Sequence, residues 1–488
     1  MLTSILLSMG LPILFGIYIY MLNSTSKKLP PGPLCLPIIG TAYNSDTNYT
    51  KNRFASMRKK YGDVFIVHGG KFSLVVLNAF DDIKQAANRN ECSERGIGLL
   101  TYAESVRNTL GLASSDFTAA YNRNRKWHMT IMREMGMRTP VMDQIVMKEC
   151  EVIVQHFKSF NGAPFYPSRF MHLFAINAVM AMLLNRRFEI DDPDSIAIAQ
   201  HTGFLTESAF PVLEYEGCPL LMQFSSRHRS ALHKFIDSQV WLQHYMMKHI
   251  KDRIEGHAYN ETCFLGKWLE RCRESKVEVD KEPLSVIMGE LLNGGADPVA
   301  AALQWLVMHL ANNPKAQARA QNEINAVLGL NDDHVTWERR DKLPYVQALI
   351  MESQRMSNPA QIGLIHFTHK ATNIGSYHIP AKTFILFNYG AVLMSETTFE
   401  DPHMFRPERF LDHAGAFVPH PHLIPFGTGK RSCAGEILAK QELFLFTVTM
   451  LQNFVFQPLE GMKQAEVDIE PAGFVHYPKG LKIVAECR

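Results

Sequence analysis

Residues 425–442, PFGTGKRSCAGEILAKQE, set one cysteine, Cys433, behind glycines and two cations at the threshold of a helix. A thiolate, not a thiol, is the form that binds metal or attacks an electrophile. Three features favour that form here. Lys430 and Arg431 stand close in sequence. A helix N-terminus, with its positive dipole end, is expected just after the cysteine. Gly427, Gly429 and Gly435 free the backbone to turn N–H groups toward sulfur. Together they predict a lowered pKa and a permanent thiolate suited to a metal. A buried structural cysteine is the plainer alternative. A phosphate loop is excluded: Arg431 stands where Ser or Thr must follow the lysine, and no glycine sits five residues before Gly429.

Two further clusters carry chemistry. LSVIMGELLNGGADPVAAALQWLVMHLANN, 284–313, is apolar nearly all round, so it is expected to be a central buried helix roughly 45 Å long. Its middle reads Gly294-Gly295-Ala296-Asp297-Pro298. Small residues beside an acid and a proline serve a site better than a core. In ESQR, Glu352 and Arg355 are three apart, on one helix face. On spacing alone that is a surface ion pair.

The elements that position these groups follow from pattern. DVFIVHGGKFSLVVLN, 63–78, reads as a hairpin. From about 80 to 356 the periodicity is helical. GSYHIPAKTFILF, 375–387, reads as strand, turn, strand, and 434–454 as a helix with a broad apolar face. The N-terminal run Leu2 to Leu22 has no charge for 21 residues and is followed by Lys27 and Lys28. That length spans a bilayer, and the lysines place the remainder on the cytosolic side. LPPGPLCLPIIG, 29–40, is a stiff proline hinge. The expected organisation is a membrane anchor at 1–26, a hinge at 27–40 and one catalytic domain at 41–488. Lys plus Arg is 50 and Asp plus Glu 48, a balance that gives no reason to expect nucleic acid. Eight scattered cysteines form no C-x-x-C pair, which favours free thiols in a reducing compartment.

FGTGKRSCAG fits F-x-x-G-x-R-x-C-x-G without a mismatch. It resembles the signature of the cytochrome P-450 family, the haem-thiolate monooxygenases. FRPERF, 405–410, resembles the family's PERF segment, and YNRNRKWHMTIMREMGM, 121–137, its W-x-x-x-R helix, with Tyr121 at the tryptophan position. The resemblance covers essentially the whole chain and is greatest to the microsomal branch acting on steroids, fatty acids and drugs. It implies a mainly α fold with a smaller β-rich region and haem b held by the Cys433 thiolate. Arg125, His366 and Arg431 would contact the propionates. Glu352, Arg355 and Arg409 would form a structural triad. Asp297 would lie in the proton path, with Ala296 and Phe474 in the substrate pocket. Electrons would come from NADPH through a membrane-bound reductase, with cytochrome b5 as a further partner, docking near Lys430 and Lys440. The endoplasmic reticulum membrane would be the location.

One departure matters. The family's long helix usually reads [AG]-G-x-[DE]-T-[TS]; here Pro298 replaces the threonine, which in the usual mechanism delivers protons with the acid. Proline also frees the Gly294 carbonyl and is expected to kink the helix. Monooxygenation of an apolar substrate is the leading reading. The alternatives are water-based or substrate-assisted proton delivery, an NADPH-independent hydroperoxide or endoperoxide isomerase, and a non-catalytic haem-binding protein.

Overall fold

The computed structural model describes residues 28–35, 40–41, 51–70, 72–96, 110–217, 223–256, 262–329, 335–459 and 473–488. The anchor expected at 1–26 lies outside them, and no helix among the described residues is long and apolar enough to cross a membrane.

The described helices are α1 (Lys51–Tyr61), α2 (Phe80–Asn88), α3 (Ala119–Glu134), α4 (Pro140–Ser159), α5 (Ser168–Leu184), α6 (Pro193–Gly217) and α7 (Ser226–Glu255). After them come α8 (Phe264–Glu274), α9 (Lys281–Asn312), α10 (Pro314–Leu328), α11 (Pro344–Met356), α12 (Tyr389–Leu393) and α13 (Glu436–Asn453). The fold is mainly helical, as expected. Proline sets several starts, at the first helical position of α4, α10 and α11, where its missing N–H leaves no internal bond unmade. The α3 start is capped by Thr118, whose hydroxyl accepts from the Tyr121 N–H at 3.1 Å.

The core is built on α5 and α9, both apolar nearly all round and both largely buried. Gly295 lets them meet: a Cβ there would lie 2.5 Å from a Val179 side-chain carbon. That glycine therefore has a packing reason. Gly294 has none, because a Cβ there meets nothing within 4 Å. Pro298 does not end α9, which is helical from Lys281 to Asn312.

The hairpin is β1 (Val64–Gly69) with β2 (Phe72–Leu77), in the expected place. The segment at 375–387 holds two strands, β5 (Tyr377–Ile379) and β6 (Phe384–Phe387), in different sheets. β5 pairs with β4 (Thr372–Ile374). β6 runs parallel to β2 and antiparallel to β3 (His366–Phe367), giving the order β1-β2-β6-β3. All four residues of β6 are buried, as suits a strand with neighbours on both edges. A last pair, β7 (Phe454–Pro458) and β8 (Ile483–Cys487), continues directly from α13. The hinge is more than a linker: the Ile66 N–H of edge strand β1 donates to Pro31 O at 2.9 Å, covering part of the open edge.

One core residue makes stability pH-dependent. His128 on α3 is 1% exposed and tilts against Phe264 of α8, and neither ring nitrogen has a hydrogen-bond partner among the described residues. Burial, helped by the Arg125 charge, lowers its pKa from 6.5 to about 4. The folded state thus binds this proton more weakly than the unfolded chain. Its contribution is complete above about pH 6.5 and is lost as pH falls toward 4, amounting to about 2 kcal/mol by about pH 5. Thermal unfolding at about pH 7.5 and pH 5 should show that loss in the wild type and a flatter profile in His128→Leu. Equal slopes in both would refute the assignment.

Candidate active site

The cysteine loop is pressed between two helices. Gly427 and Gly429 have φ of 72° and 75°, the left-handed region that glycine tolerates. A Cβ on Gly429 would lie 2.4 Å from Ala87 O of α2, and one on Gly427 2.8 Å from the Tyr389 hydroxyl of α12. The Cys433 N–H donates to Phe426 O at 3.0 Å and closes the loop. α13 begins three residues later, and the backbone N–H groups of Gly435 and Glu436 hydrogen-bond toward the sulfur. The expected lowering of the pKa is not what the fold produces. Burial pushes the thiol above its ordinary value, against those N–H groups and Arg125. The neighbours in sequence turn elsewhere: Lys430 Nζ bonds Asn90 Oδ1, while Arg431 donates to Ser93 O at 2.9 Å and Ser115 O at 2.7 Å. Cys433 itself is exposed, so its sulfur is reachable although the surroundings disfavour free charge. A metal removes the difficulty, since a coordinating thiol is deprotonated outright.

Cations gather beside this loop. Arg431 lies over the Tyr121 ring at 3.8 Å and leaves the buried Tyr121 hydroxyl without a partner. Arg125, one turn along α3 from Tyr121, donates to Ser432 O at 2.8 Å. His366 is buried in β3 and hydrogen-bonds Cys92 O through Nδ1 at 2.8 Å. Its pKa is held well below the ordinary value by burial, then by Arg95 and Arg431. Arg95 went unmarked in the sequence. It is buried, donates to Ala113 O, Leu364 O and Ile365 O, and is lowered to about 10 by burial and then by Arg431. No motif contains it; only folding brings residue 95 beside 365 and 431. Among the described residues, none of Arg95, Arg125 and Arg431 forms an ion pair. Like charges gathered without an ion pair, one of them buried and two half-buried, are costly, so the cluster fits an anionic partner.

The Glu352–Arg355 pair is not on the surface. Both side chains are fully buried, with Arg355 Nε and Nη2 donating to the two carboxylate oxygens at 2.7 and 2.9 Å. Arg409 Nε reaches Glu352 Oε1 at 3.1 Å. Arg355 also donates to Leu393 O and Pro402 O, which ties α11 to the chain entering 405–410.

A family model described as Cytochrome P450 matches residues 30–485. The chain belongs to the cytochrome P450 family. It is accordingly an oxidoreductase, a monooxygenase whose cofactor is haem b. Curated relatives include cytochrome P450 2C5 of Oryctolagus cuniculus, 28% identical over 98% of both chains. Cytochrome P450 2C13, male-specific, of Rattus norvegicus is 29% identical over 90% of both, and cytochrome P450 2C8 of Homo sapiens 27% identical over 94% of both. The residues present fit haem: a reachable sulfur and, among the described residues, cations without an ion pair and a Tyr121 hydroxyl without a partner.

The distal acid of this cytochrome P450 is firmly tied. Asp297 is fully buried. Its Oδ1 accepts from the Tyr477 hydroxyl at 2.5 Å, and its Oδ2 from Thr206 Oγ1 at 2.7 Å. Gly294 and Pro298, four apart, share another face of α9, where Gly294 is exposed and Pro298 half-buried. The two pocket residues expected from sequence are not placed alike. Ala296 is fully enclosed in the core, so the small residue of α9 that faces open space is Gly294. Phe474 is half-buried in the C-terminal turn and its N–H donates to Thr206 O at 2.7 Å. Lys440 is paired with Glu436 at 2.6 Å.

Proposed function

We propose that this cytochrome P450 inserts one atom of dioxygen into an apolar substrate, a steroid, fatty acid or foreign compound, using electrons from NADPH delivered by a separate reductase. Cys433 binds the iron. Arg95, Arg125 and Arg431 hold the propionates. His366 lies beside them, its Nδ1–H engaged by Cys92 O. Haem so held supplies the oxygen-activating chemistry, and the thiolate's electron donation favours O–O cleavage. Asp297 supplies protons. Glu352, Arg355 and Arg409 brace the cysteine side. The observation that carries the reading is the cysteine loop beside three arginines that have no ion-pair partner among the described residues. Residues 41–488 form the catalytic domain, and 1–26 anchor it to the endoplasmic reticulum membrane, facing the cytosol. The reductase, and cytochrome b5, dock on the Cys433 face, where Lys430 contributes more readily than the paired Lys440.

Pro298 favours a second reading, an isomerase of lipid hydroperoxides or endoperoxides, which needs no delivered proton. One experiment separates the two. The reconstituted protein is incubated with a lipid extract, with and without reductase and NADPH, and product masses are read. Products heavier by one oxygen, formed only with NADPH, are the expected result. Mass-neutral rearrangement without NADPH would establish the isomerase instead.

A further inference from the structure

Asp297 does not stand alone at the end of its helix turn. Tyr477, in the turn before β8, places its hydroxyl 2.5 Å from Asp297 Oδ1 and 3.1 Å from His172 Nε2 of α5. His172 Nε2 is itself 3.8 Å from Asp297 Oδ1, and its ring stacks on Tyr477 at 5.6 Å between centroids. Its Nδ1 faces Ser168 O at 2.8 Å, so Nδ1 carries a hydrogen. The His172 side chain is 18% exposed, whereas that of Asp297 is fully buried. Tyr477 and Thr206 also border a cleft of about 300 Å³, lined further by Glu207, Arg227 and Lys234. The turn carrying Tyr477 is pinned on both sides, by Phe474 N–H to Thr206 O at 2.7 Å and by Trp305 Nε1–H to His476 O at 2.7 Å.

Counting hydrogens shows what this row can do. Tyr477 has one hydroxyl proton to share among Asp297 Oδ1, the Asp297 main-chain O at 2.9 Å and His172 Nε2. If it donates to Asp297, the contact with His172 needs a hydrogen on Nε2, and His172 is an imidazolium facing a carboxylate. If it donates to His172, Asp297 carries the proton and His172 is neutral. The two arrangements interconvert by a concerted shift. The Nε2–H bond breaks as a new O–H forms on Tyr477, while the old Tyr477 O–H breaks as an O–H forms at Asp297 Oδ1. No electrons are exchanged and the net charge of the row is unchanged.

We infer that His172 and Tyr477 relay protons from the partly exposed face of α5 to Asp297, which makes the hydroxyl missing at position 298 dispensable for recharging the acid. This rests on the monooxygenase reading, in which Asp297 is the proton source. His172 and Tyr477 are positioning residues that act through it. Other titratable groups on the neighbouring elements include Glu207, Arg227 and Lys234 along the cleft, His476, which is buried and precedes Tyr477, and Arg169 of α5, which is turned to Asp191.

The test is time-resolved infrared spectroscopy of the haem-loaded full chain after a pH jump, without NADPH or reductase. The protonated-carboxyl band that disappears in Asp297→Asn reports the acid. The rate at which that band re-forms should fall about tenfold in Tyr477→Phe and in His172→Gln. The double variant should be no slower than either single one, because both break the same row. An unchanged rate in Tyr477→Phe, or multiplied slowing in the double variant, would overturn the relay. If Tyr477→Phe does not accumulate, His172→Gln at the far end still decides: an unchanged rate there also refutes the relay. If the wild type inserts no oxygen with NADPH while the coupling persists, the proposed function fails and the proton row stands.

Discussion

Cys433→Ser should abolish the thiolate spectrum of the reduced carbon monoxide complex and, with it, NADPH-dependent oxygen insertion, while leaving the fold intact. The two halves of this expectation have separate grounds. The side chain packs against little: Cys433 is exposed, and it is the main chain that closes the loop, through the N–H bond to Phe426 O. Serine is nearly the same shape, so the apoprotein's unfolding free energy should change by no more than about 0.5 kcal/mol. Chemically the exchange is severe. A soft thiolate is replaced by a hydroxyl that ionises only at far higher pH and donates much less charge to iron. A loss of at least about a thousandfold, roughly 4 kcal/mol of barrier, is the scale implied. Retained activity with a retained thiolate spectrum would mean that another residue binds the iron, and Cys433 would revert to a structural cysteine. Loss of both folding and spectrum would leave ligation to be read from Cys433→His, where a bound haem without the thiolate spectrum is expected.

The chemistry was more legible than its electrostatics. The spacing of Gly427, Gly429, Arg431 and Cys433 pointed to the loop because those residue types answer to local backbone demands, φ above zero and a closing N–H bond. The surroundings of the thiol are less legible in the same loop. Nearness in sequence said nothing about where Lys430 and Arg431 point, and desolvation, which depends on the whole surrounding fold, outweighed the helix N-terminus. Arg95 is not legible for a related reason: two of its partners are hundreds of residues away, at 364 and 365, and no periodicity encodes such a meeting. The two glycines before Asp297 looked alike on paper. Only the approach of α5 distinguishes Gly295, which is needed for packing, from Gly294, which faces space. Helices and the hairpin were legible because burial on one face imposes a period; the separate partners of β5 and β6 were not, since pairing is set by what lies alongside.

Glu352→Ala should be strongly destabilising, by about 3–5 kcal/mol, because it strands a buried guanidinium. Glu352 receives four hydrogen bonds: two from Arg355, one from Arg409 Nε and one from the Arg406 N–H at 2.8 Å. Both Glu352 and Arg355 side chains are fully out of water, so no solvent can replace the lost carboxylate. Folded domains are typically stable by about 5–15 kcal/mol, so this change removes a large share. It also releases Arg409, whose Nη1 holds Glu400 O at 2.8 Å, and so loosens the chain that leads into the cysteine loop. Reduced haem loading should accompany the lower unfolding midpoint. Glu352→Gln keeps the shape but halves the accepting oxygens and removes the charge, so it should fall between Ala and wild type. The contrast lies at the surface. Arg169–Asp191 is also an ion pair, with side chains 54% and 84% exposed, and Asp191→Ala should cost less than about 1 kcal/mol. If chemical unfolding gave Glu352→Ala and Asp191→Ala the same small cost, burial would not be what gives the Glu352–Arg355 pair its weight, and the bracing role assigned to it would fall.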